Sequence, residues 1–435
     1  MRHFEVIFVR KKAELFIESV KVKLRSPEFM DGNRFSKRYF TRQRKLPFTT
    51  MVCFLLNSVK QTLQKELTNF IRLISDNKNV TKSAFSQQRM KLKPDAFVEL
   101  NESIIHEFYT DNEYETWNGF RLLGIDGSML ELPRDKNVYE SFGGLQVGET
   151  ITPMAQISTC YDLLNNVVID GHIENYKASE YTLAVKHLQK CVEGDLVIFD
   201  RGYCAYWLWY YLHVNKIDFV CRLQQGLGAQ ILDFWESKEQ SVIIELEHGY
   251  RSKKTLNILG IVPQKFKVRL VKFTLDNGEI EVLATSLFDE EKYQVSVFKE
   301  LYNKRWNIET NYDHLKNHIE IGNFTGYSTT AIKQDFFASL FISNIQSIII
   351  KDAQEKLDEK KKNNKRQYKI NRNLSLGFMK DRMLQIIKTQ DNKNALEELK
   401  ELFLLEPTPI RKNRKFKRRK NWERPKHYMN KRRVL

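Results

Sequence analysis

The sequence lacks the cysteine pattern of a zinc module or of a disulfide framework. Its five cysteines are an odd number and have no C-x-x-C spacing, whereas both kinds of site need paired or closely spaced cysteines. The N-terminus also lacks a signal-type apolar core, and the most apolar helical stretch, residues 336–350, is interrupted by five polar residues. We therefore expect a protein of a reducing cytoplasm that is neither exported nor inserted in a membrane.

Acidic residues are scarce at the C-terminal end of the chain. The whole sequence has 71 Lys+Arg against 54 Asp+Glu, a formal charge of +17, but residues 411–435 hold 13 basic residues and one acid, Glu423. Such a tail, which includes Arg418 and Arg419, is suited to contacting DNA phosphates because each cation releases counterions from the duplex. The alternative interpretation is a solvated terminus, since charge runs occur without any ligand.

What is present in quantity is apolar and aromatic sequence, at 42% and 12% of 435 residues. That composition excludes a disordered chain and predicts two or three domains. Helical spacing over residues 48–74 indicates two packed helices, and a third short helix is expected from about Thr81 to before Pro94. The third helix carries side chains that contact phosphates and base edges in helix-turn-helix proteins, but an ordinary exposed helix face is equally consistent with them: Lys82, Gln87, Gln88, Arg89 and Lys91.

From residue 121 onward the pattern changes to short apolar runs separated by turns and helices. It predicts three strands, a helix, a strand, a helix and a strand, which is the order of an RNase H-like mixed sheet flanked by helices. Strand-like runs interrupt this order over residues 225–287 and predict a β-rich insertion. The expected organisation is an N-terminal helical DNA-binding domain (1–115), a catalytic core in two parts (116–224 and 288–356) split by the insertion, and a helical C-terminal region with the basic tail (357–435).

Two aspartates follow apolar runs of this predicted sheet. Asp126 comes after residues 122–125 and Asp200 after residues 196–199, and each is followed by a glycine within two residues. If the two strands are neighbours, the carboxylates converge. A single aspartate in this position is more often a turn or capping residue, so the pair needs support from a third group.

The third group lies in residues 301–316, which contain no proline or glycine and are predicted to be helical. At 100° per residue, one narrow stripe holds Tyr302, Arg305, Glu309 and Lys316. The alternative is a salt-bridged helix edge, in which an i,i+4 pair contributes only about 0.3–0.5 kcal/mol. Because Mg²⁺ or Mn²⁺ takes oxygen ligands, Asp126, Asp200 and Glu309 would form a sufficient carboxylate set for two ions.

Three ordered blocks together resemble the DDE transposases of the insertion-sequence-four type. The signature Y-x2-R-x3-E-x6-K of that family is matched by Tyr302, Arg305, Glu309 and Lys316. The first aspartate block reads Ile125-Asp126-Gly127-Ser128 and the second reads Asp200-Arg201-Gly202-Tyr203.

The resemblance implies a nucleoid-associated bacterial enzyme that binds double-stranded DNA at terminal inverted repeats and at a target. It implies a homodimer in a synaptic complex and metal-dependent cleavage followed by strand transfer, as in cut-and-paste transposition. The aspartates and Glu309 become ligands of Mg²⁺ or Mn²⁺, while Tyr302, Arg305 and Lys316 become contacts to the DNA phosphate. In better-known members a tryptophan in or near the insertion stacks on a flipped base. The sequence does not place it here: Trp235 lies inside the insertion and Trp306 in the signature segment, and an ordinary core position is the alternative for either.

Two rival functions fit the same residues. A metal-dependent nuclease of the same fold would cut DNA without joining it, and a catalytically inactive derivative would only bind DNA. A strand-transfer assay separates the first rival, and metal-dependent nicking separates the second.

Overall fold

The N-terminal part of the chain is helical. A computed structural model describes residues 12–42, 45–57, 61–74, 79–111, 113–380, 382–388 and 392–411. The helices predicted over residues 48–74 and after Thr81 are present, and Thr81 caps the third of them by accepting a hydrogen bond from Ala84 N at 3.2 Å. The helices before the first strand are α1 (Lys12–Arg25), α2 (Pro27–Gly32), α3 (Phe48–Leu55), α4 (Leu63–Ile74), α5 (Lys82–Arg89) and α6 (Asp95–Thr110).

A mixed sheet with the strand order of an RNase H-like core forms the centre of the molecule. Its first strand pairs antiparallel with the next long strand on one side and parallel with β5 (Asp195–Phe199) on the other, and β5 in turn pairs in parallel with β6 (Asp218–Arg222). The RNase H-like fold expected from the sequence is therefore confirmed. The elements are β1 (Arg121–Glu131), α7 (Lys136–Phe142), β2 (Gly144–Val147), β3 (Thr150–Asp162), β4 (Val167–Asn175), α8 (Glu180–Leu188), β5 (Asp195–Phe199), α9 (Tyr206–Val214) and β6 (Asp218–Arg222).

The strands predicted within residues 225–287 do not form a sheet of their own. They extend the central sheet, because β9 pairs antiparallel with β6 and β8 and β7 follow outward in turn. The described sheet thus has nine strands, and the insertion is attached to the strand beside β5. Its elements are α10 (Ala229–Glu236), β7 (Ser241–Leu246), α11 (Tyr250–Ile258), β8 (Phe266–Thr274) and β9 (Ile280–Thr285).

The remaining elements are mostly helical, and among the described residues none of the helices is both long and apolar enough to cross a membrane. They comprise α12 (Val295–Asn303), α13 (Trp306–Asp313), α14 (Thr329–Lys360), β10 (Tyr368–Lys369), α15 (Arg372–Met379), α16 (Arg382–Lys388), α17 (Asn392–Phe403) and β11 (Thr408–Pro409).

The 32-residue helix α14 joins the N-terminal helices to the sheet. Its Asn344, fully buried, donates a 2.7 Å hydrogen bond to Asn101 Oδ1 on α6 and another to the carbonyl of Val168 on β4. Next to this contact Gly171 of β4 lies against Leu340, where an added Cβ would meet the leucine Cδ1 at 2.3 Å. The glycine is needed for this close approach, and the buried amide network fixes the register of α14 on both neighbours.

Candidate active site

The register of the sheet places Asp126 and Asp200 side by side. The parallel pairing of β1 with β5 ends at Gly124 opposite Ile198, and each aspartate lies two residues beyond that pair. Both carboxylates accept a hydrogen bond from the following backbone N–H, Asp126 from Gly127 at 2.8 Å and Asp200 from Arg201 at 2.7 Å. Asp200 therefore also caps a short 3₁₀ turn, so a capping role and a place in the site are compatible.

Asp126 differs from its prediction in one respect, since it does not end its strand. β1 continues to Glu131, still paired with β3, so Gly127 lies within the strand and not in a turn. Its role is spatial, because a Cβ there would meet Gln156 Nε2 at 2.6 Å and Glu180 Oε1 at 2.9 Å. The glycine allows the N-terminus of α8 to approach the strand next to Asp126.

The predicted single helix over residues 301–316 was wrong in its continuity. The chain turns at Lys304 and Arg305 between α12 and α13, and the end of α13 widens into a π turn at His314–His318. A uniform 100° per residue therefore does not describe the signature, and the common stripe inferred from it does not hold as a helix face. π turns of this kind are frequent at functional sites because they displace side chains from the α-helical spacing.

Arg305 is a buried cation that acts on all three carboxylates. Its guanidinium donates a 2.7 Å hydrogen bond to Glu309 Oε1 and interacts electrostatically with both Asp126 and Asp200. The arginine side chain is only 7% exposed, whereas that of Glu309 is 39% exposed. The Arg305–Glu309 pair therefore differs from the surface ion pair that the spacing alone allowed.

Burial dominates the electrostatics of Asp126. Desolvation raises the pKa of this carboxyl to about 6, the Gly127 N–H and Arg305 act to lower it, and Asp200 and Glu180 raise it further. The site therefore concentrates more negative charge than its one buried arginine offsets. A hard divalent cation fits that donor set, because carboxylate oxygens are its preferred ligands and the cation would relieve the repulsion. The ligand atoms of Asp126, Asp200 and Glu309, which all belong to the described part of the chain, do not, however, all lie within 4.8 Å of one another.

The other signature residues lie at the same rim. The Tyr302 hydroxyl and Arg305 Nε are buried and make no hydrogen bond among the described residues. Lys316 contacts β1, where its Nζ donates to Ser128 Oγ at 2.6 Å and to the Met129 carbonyl at 2.8 Å. The lysine is therefore held two to three residues beyond Asp126 on the same strand.

Sequence reasoning missed three further charged neighbours of the site. Glu180, at the start of α8, acts on the charge of Asp126. Glu281 of β9 is buried, pairs with Arg222 of β6 at 2.8 Å, and interacts with Arg305 and Asp200. No local motif marks them, since they reach the site only because the insertion strands join the sheet and α8 packs beside Gly127.

Two hydroxyl groups hold the backbone carbonyl of Asp126. Tyr312 of α13 donates to this oxygen at 2.7 Å from one face of the sheet, and Ser158 of β3 donates to it at 3.0 Å. Ser158 is fully buried and is also 3.0 Å from His187 Nε2 on α8. The first aspartate is therefore anchored through its main chain by groups that the sequence motifs do not include.

The predicted DNA-reading residues of α5 divide into two sets. Lys82 and Gln87 are exposed, and Lys91 just beyond the helix is half-buried. Gln88 and Arg89 are buried, which corrects their assignment: Arg89 pairs with Asp335 at 2.9 Å and hydrogen-bonds Gln334 at 2.8 Å on α14. Arg89 thereby fastens α5 to α14, whereas Gln88 donates to the Leu46 carbonyl at 3.2 Å. Arg418 and Arg419 lie outside the described residues.

The two tryptophans considered for base stacking lie in different surroundings. Trp235 lines an open cleft of about 440 Å³ together with Arg201, Arg222 and Glu281. Trp306 is 45% exposed at the start of α13, and the Arg305 guanidinium lies 5.1 Å from its ring centroid. Both side chains are therefore reachable from the rim of the site.

An RNase H-like sheet bearing the three ordered carboxylate blocks places the protein in the class of DDE transposases. A family model described as "Transposase DDE domain" matches residues 117–345, more than half of the chain. The chain belongs to this family and is a DDE transposase of the insertion-sequence-four type.

Two named relatives are also described as transposases. A Sinorhizobium fredii protein, y4zB, named as a transposase, is 24% identical over 185 residues, which cover 42% of this chain and 48% of that protein. The chain thus spans about half the length of this relative. The Escherichia coli transposase InsG for insertion sequence element IS4 is 22% identical over 315 residues, 70% of each chain. A solved piggyBac transposase synaptic complex with hairpin DNA is 12% identical with a TM-score of 0.43, covering 91% of this chain and 85% of that one.

Proposed function

We propose that the protein binds the terminal inverted repeats of an insertion sequence and catalyses metal-dependent cleavage and strand transfer there. The observation that supports this most is that the buried Arg305 hydrogen-bonds Glu309 and interacts electrostatically with both Asp126 and Asp200. Membership of the transposase family supplies the reaction class. The substrate is double-stranded DNA, and the working unit is a homodimer that holds two DNA ends.

Divalent ions, Mg²⁺ or Mn²⁺, would be held by the three carboxylates. When bound, a pair of such ions stabilises the attacking and leaving oxygens of a phosphodiester displacement. The residues already present prepare for this. Hydrogen bonds to the Asp126 carbonyl and to both aspartate carboxylates fix the two aspartates, so little reorganisation is needed when a substrate arrives.

Phosphate binding is the role we assign to Tyr302, Arg305 and Lys316. The buried hydroxyl of Tyr302 and the Nε of Arg305 have no hydrogen-bond acceptor among the described residues, and a buried donor without an acceptor is costly. A phosphate oxygen would satisfy both donors. Lys316, which lies by β1, would supply a second positive charge near the attacked phosphate.

Joining activity is the test that separates a transposase from a nuclease of the same fold. With pre-cleaved terminal-repeat ends, Mg²⁺ and a supercoiled target, we expect covalently joined products from the purified full chain. Gel analysis of labelled ends measures them. Cleavage of uncut ends without any joined product would favour the nuclease, and terminal-repeat binding without nicking would favour an inactive DNA-binding derivative.

DNA binding itself is assigned to the N-terminal helical region and to the basic tail. Exposed Lys82 and Gln87, with Lys91, remain the candidate contacts of α5. Deleting residues 411–435 removes 13 basic residues and one acid, so binding should weaken for every DNA sequence and its salt dependence should flatten. Fluorescence anisotropy at several salt concentrations measures both effects. A chain truncated at 410 with an unchanged salt slope would show that the tail does not touch DNA.

A further inference from the structure

A second cluster of metal-ligating side chains lies on the face of the sheet that packs against α8, apart from the three carboxylates. Among the described residues, one group of three potential ligands has all its ligand atoms within 4.8 Å: Asp170, His172 and His187. Asp170 and His172 alternate with Gly171 on β4 and so share the face opposite Leu340 of α14. His187 comes from α8, and we find the cluster at the contact between that helix and the sheet.

Both imidazoles are directed at a single carboxylate oxygen. His187 Nδ1 lies 2.7 Å and His172 Nε2 lies 3.0 Å from Asp170 Oδ2. His172 Nε2 is buried, and although it lies close to that oxygen its geometry does not form a hydrogen bond. Three tetrahedral ligands of Zn²⁺ at about 2.0–2.2 Å are about 3.3–3.6 Å apart, so the observed spacing needs only side-chain adjustments of less than about 1 Å.

The hydrogen bonds around His187 connect the cluster to the backbone of Asp126. Ser158 Oγ lies 3.0 Å from the Asp126 carbonyl and 3.0 Å from His187 Nε2. The other ring nitrogen, Nδ1, faces the Asp170 carboxylate at 2.7 Å, and this is the position at which either a proton or a metal ion can lie. A proton on His187 alone does not explain why His172 is also directed at Asp170 Oδ2.

We propose that Asp170, His172 and His187 bind one transition-metal ion of the Zn²⁺ class. Two imidazoles and one carboxylate favour Zn²⁺ or Co²⁺ over Mg²⁺, which prefers an oxygen shell. The side chains of Asp170 and His172 are 12% and 23% exposed, so an ion has a route to the site and a water molecule can complete its coordination. Ser158 then acts as the outer partner that orients the ligating imidazole.

Such an ion would fasten α8 to β4 and, through His187 and Ser158, stabilise the backbone of Asp126. The three proposed ligands are positioning residues in this arrangement, because none of them belongs to the site of Asp126, Asp200 and Glu309. Glu180 begins the same helix, so the ion would also fix the acid next to Gly127. The inference does not depend on whether the protein cuts or joins DNA.

Cobalt titration of the full chain tests the proposal without DNA. The parent protein carries Asp126→Asn and Asp200→Asn so that these carboxylates do not compete, and Co²⁺ binding is followed by visible ligand-field absorption. We expect one absorbing equivalent per chain that Zn²⁺ displaces. His172→Ala should lower the affinity by more than the roughly 100-fold typical of losing an outer partner, and Ser158→Ala by about 10- to 100-fold.

His106→Ala is the matched control, because His106 is an exposed histidine on α6 and its loss should leave the titration unchanged. Thermal melting of each variant without metal checks the fold, and Asp170→Asn provides a second ligand variant if His172→Ala melts early. A parent chain with no absorbing equivalent would assign a proton to the space beside His187. Identical titrations of the parent and both ligand variants would also overturn the site.

Discussion

Asp126→Asn, Asp200→Asn and Glu309→Gln are each expected to abolish DNA cleavage while leaving terminal-repeat binding intact. Each change removes the charge of one proposed metal ligand and retains a side-chain carbonyl. That carbonyl can still accept the bonds from Gly127 N, Arg201 N and Arg305 that hold the three side chains, so the fold is preserved. Metal stabilisation of a displacement contributes several kcal/mol, which at about 1.4 kcal/mol per tenfold corresponds to a rate loss of about a thousandfold or more.

Single-turnover cleavage of a labelled terminal-repeat duplex, with binding measured on the same preparations, tests this expectation. Asp313→Asn is the matched control, because Asp313 is an exposed acid on the helix that carries Glu309. Its cleavage rate should equal that of the unchanged chain. If one of the three variants still nicks DNA at a rate comparable to that of the unchanged chain, the substituted residue does not belong to the site.

Arg305→Ala and Lys316→Ala are expected to lower both cleavage and strand transfer by about tenfold or more, since misplacing the attacked phosphate loses orientation and charge stabilisation together. A mere brace between Arg305 and Glu309 on a helix surface would contribute only a few tenths of a kcal/mol and leave catalysis unchanged. The burial of Arg305 predicts a measurable fall in melting temperature for Arg305→Ala as well. Cleavage must therefore be measured well below the melting temperature of each variant.

Mg²⁺ affinity separates the two explanations of a slow Arg305 variant. Removing a cation beside Asp126, Asp200 and Glu309 increases the local negative charge, so metal binding should be retained or strengthened while the rate falls. Lys304→Ala is the control, because Lys304 is adjacent to Arg305 and pairs only loosely with Glu300 at 3.7 Å. Near-normal rates in both Arg305→Ala and Lys316→Ala would remove the phosphate-contact assignment and leave the carboxylates unaffected.

The strands of the core could be predicted from sequence because their apolar runs are short and bounded by turns. The strand that precedes Asp200 was predicted from the apolar run at residues 196–199 and is observed at Asp195–Phe199, and the order that follows from residue 121 was sufficient for the fold. The extent of β1 was not predictable. Its polar second half is stabilised by pairing with β3, a long-range interaction that local periodicity does not contain.

The sequence predicted which residues form the signature and their order along the chain, but it did not predict their positions relative to one another in space. The turn at Lys304 and the π turn at His314–His318 break the helical period without any proline or glycine, so tertiary contacts and not propensity determine them. Arg89 illustrates the same limit on a polar helix. Its partner Asp335 is more than 240 residues away in sequence, and the helix pattern cannot indicate which of its charged side chains will be buried.

The long helix α14 has a consequence for how copies of such a gene decay. Every residue assigned to the carboxylate site precedes Thr329, where α14 begins, so a copy with an early stop codon after that point retains all the motifs by which it would be recognised. Its product would nevertheless lose Asn344 and Leu340, and with them the buried contacts to α6 and β4. Buried amides left without partners cost about 1–3 kcal/mol each, in addition to the exposed apolar surface. Truncated copies should therefore be silent because their products do not fold, and a census of intact genes should count α14 as well as the three carboxylates.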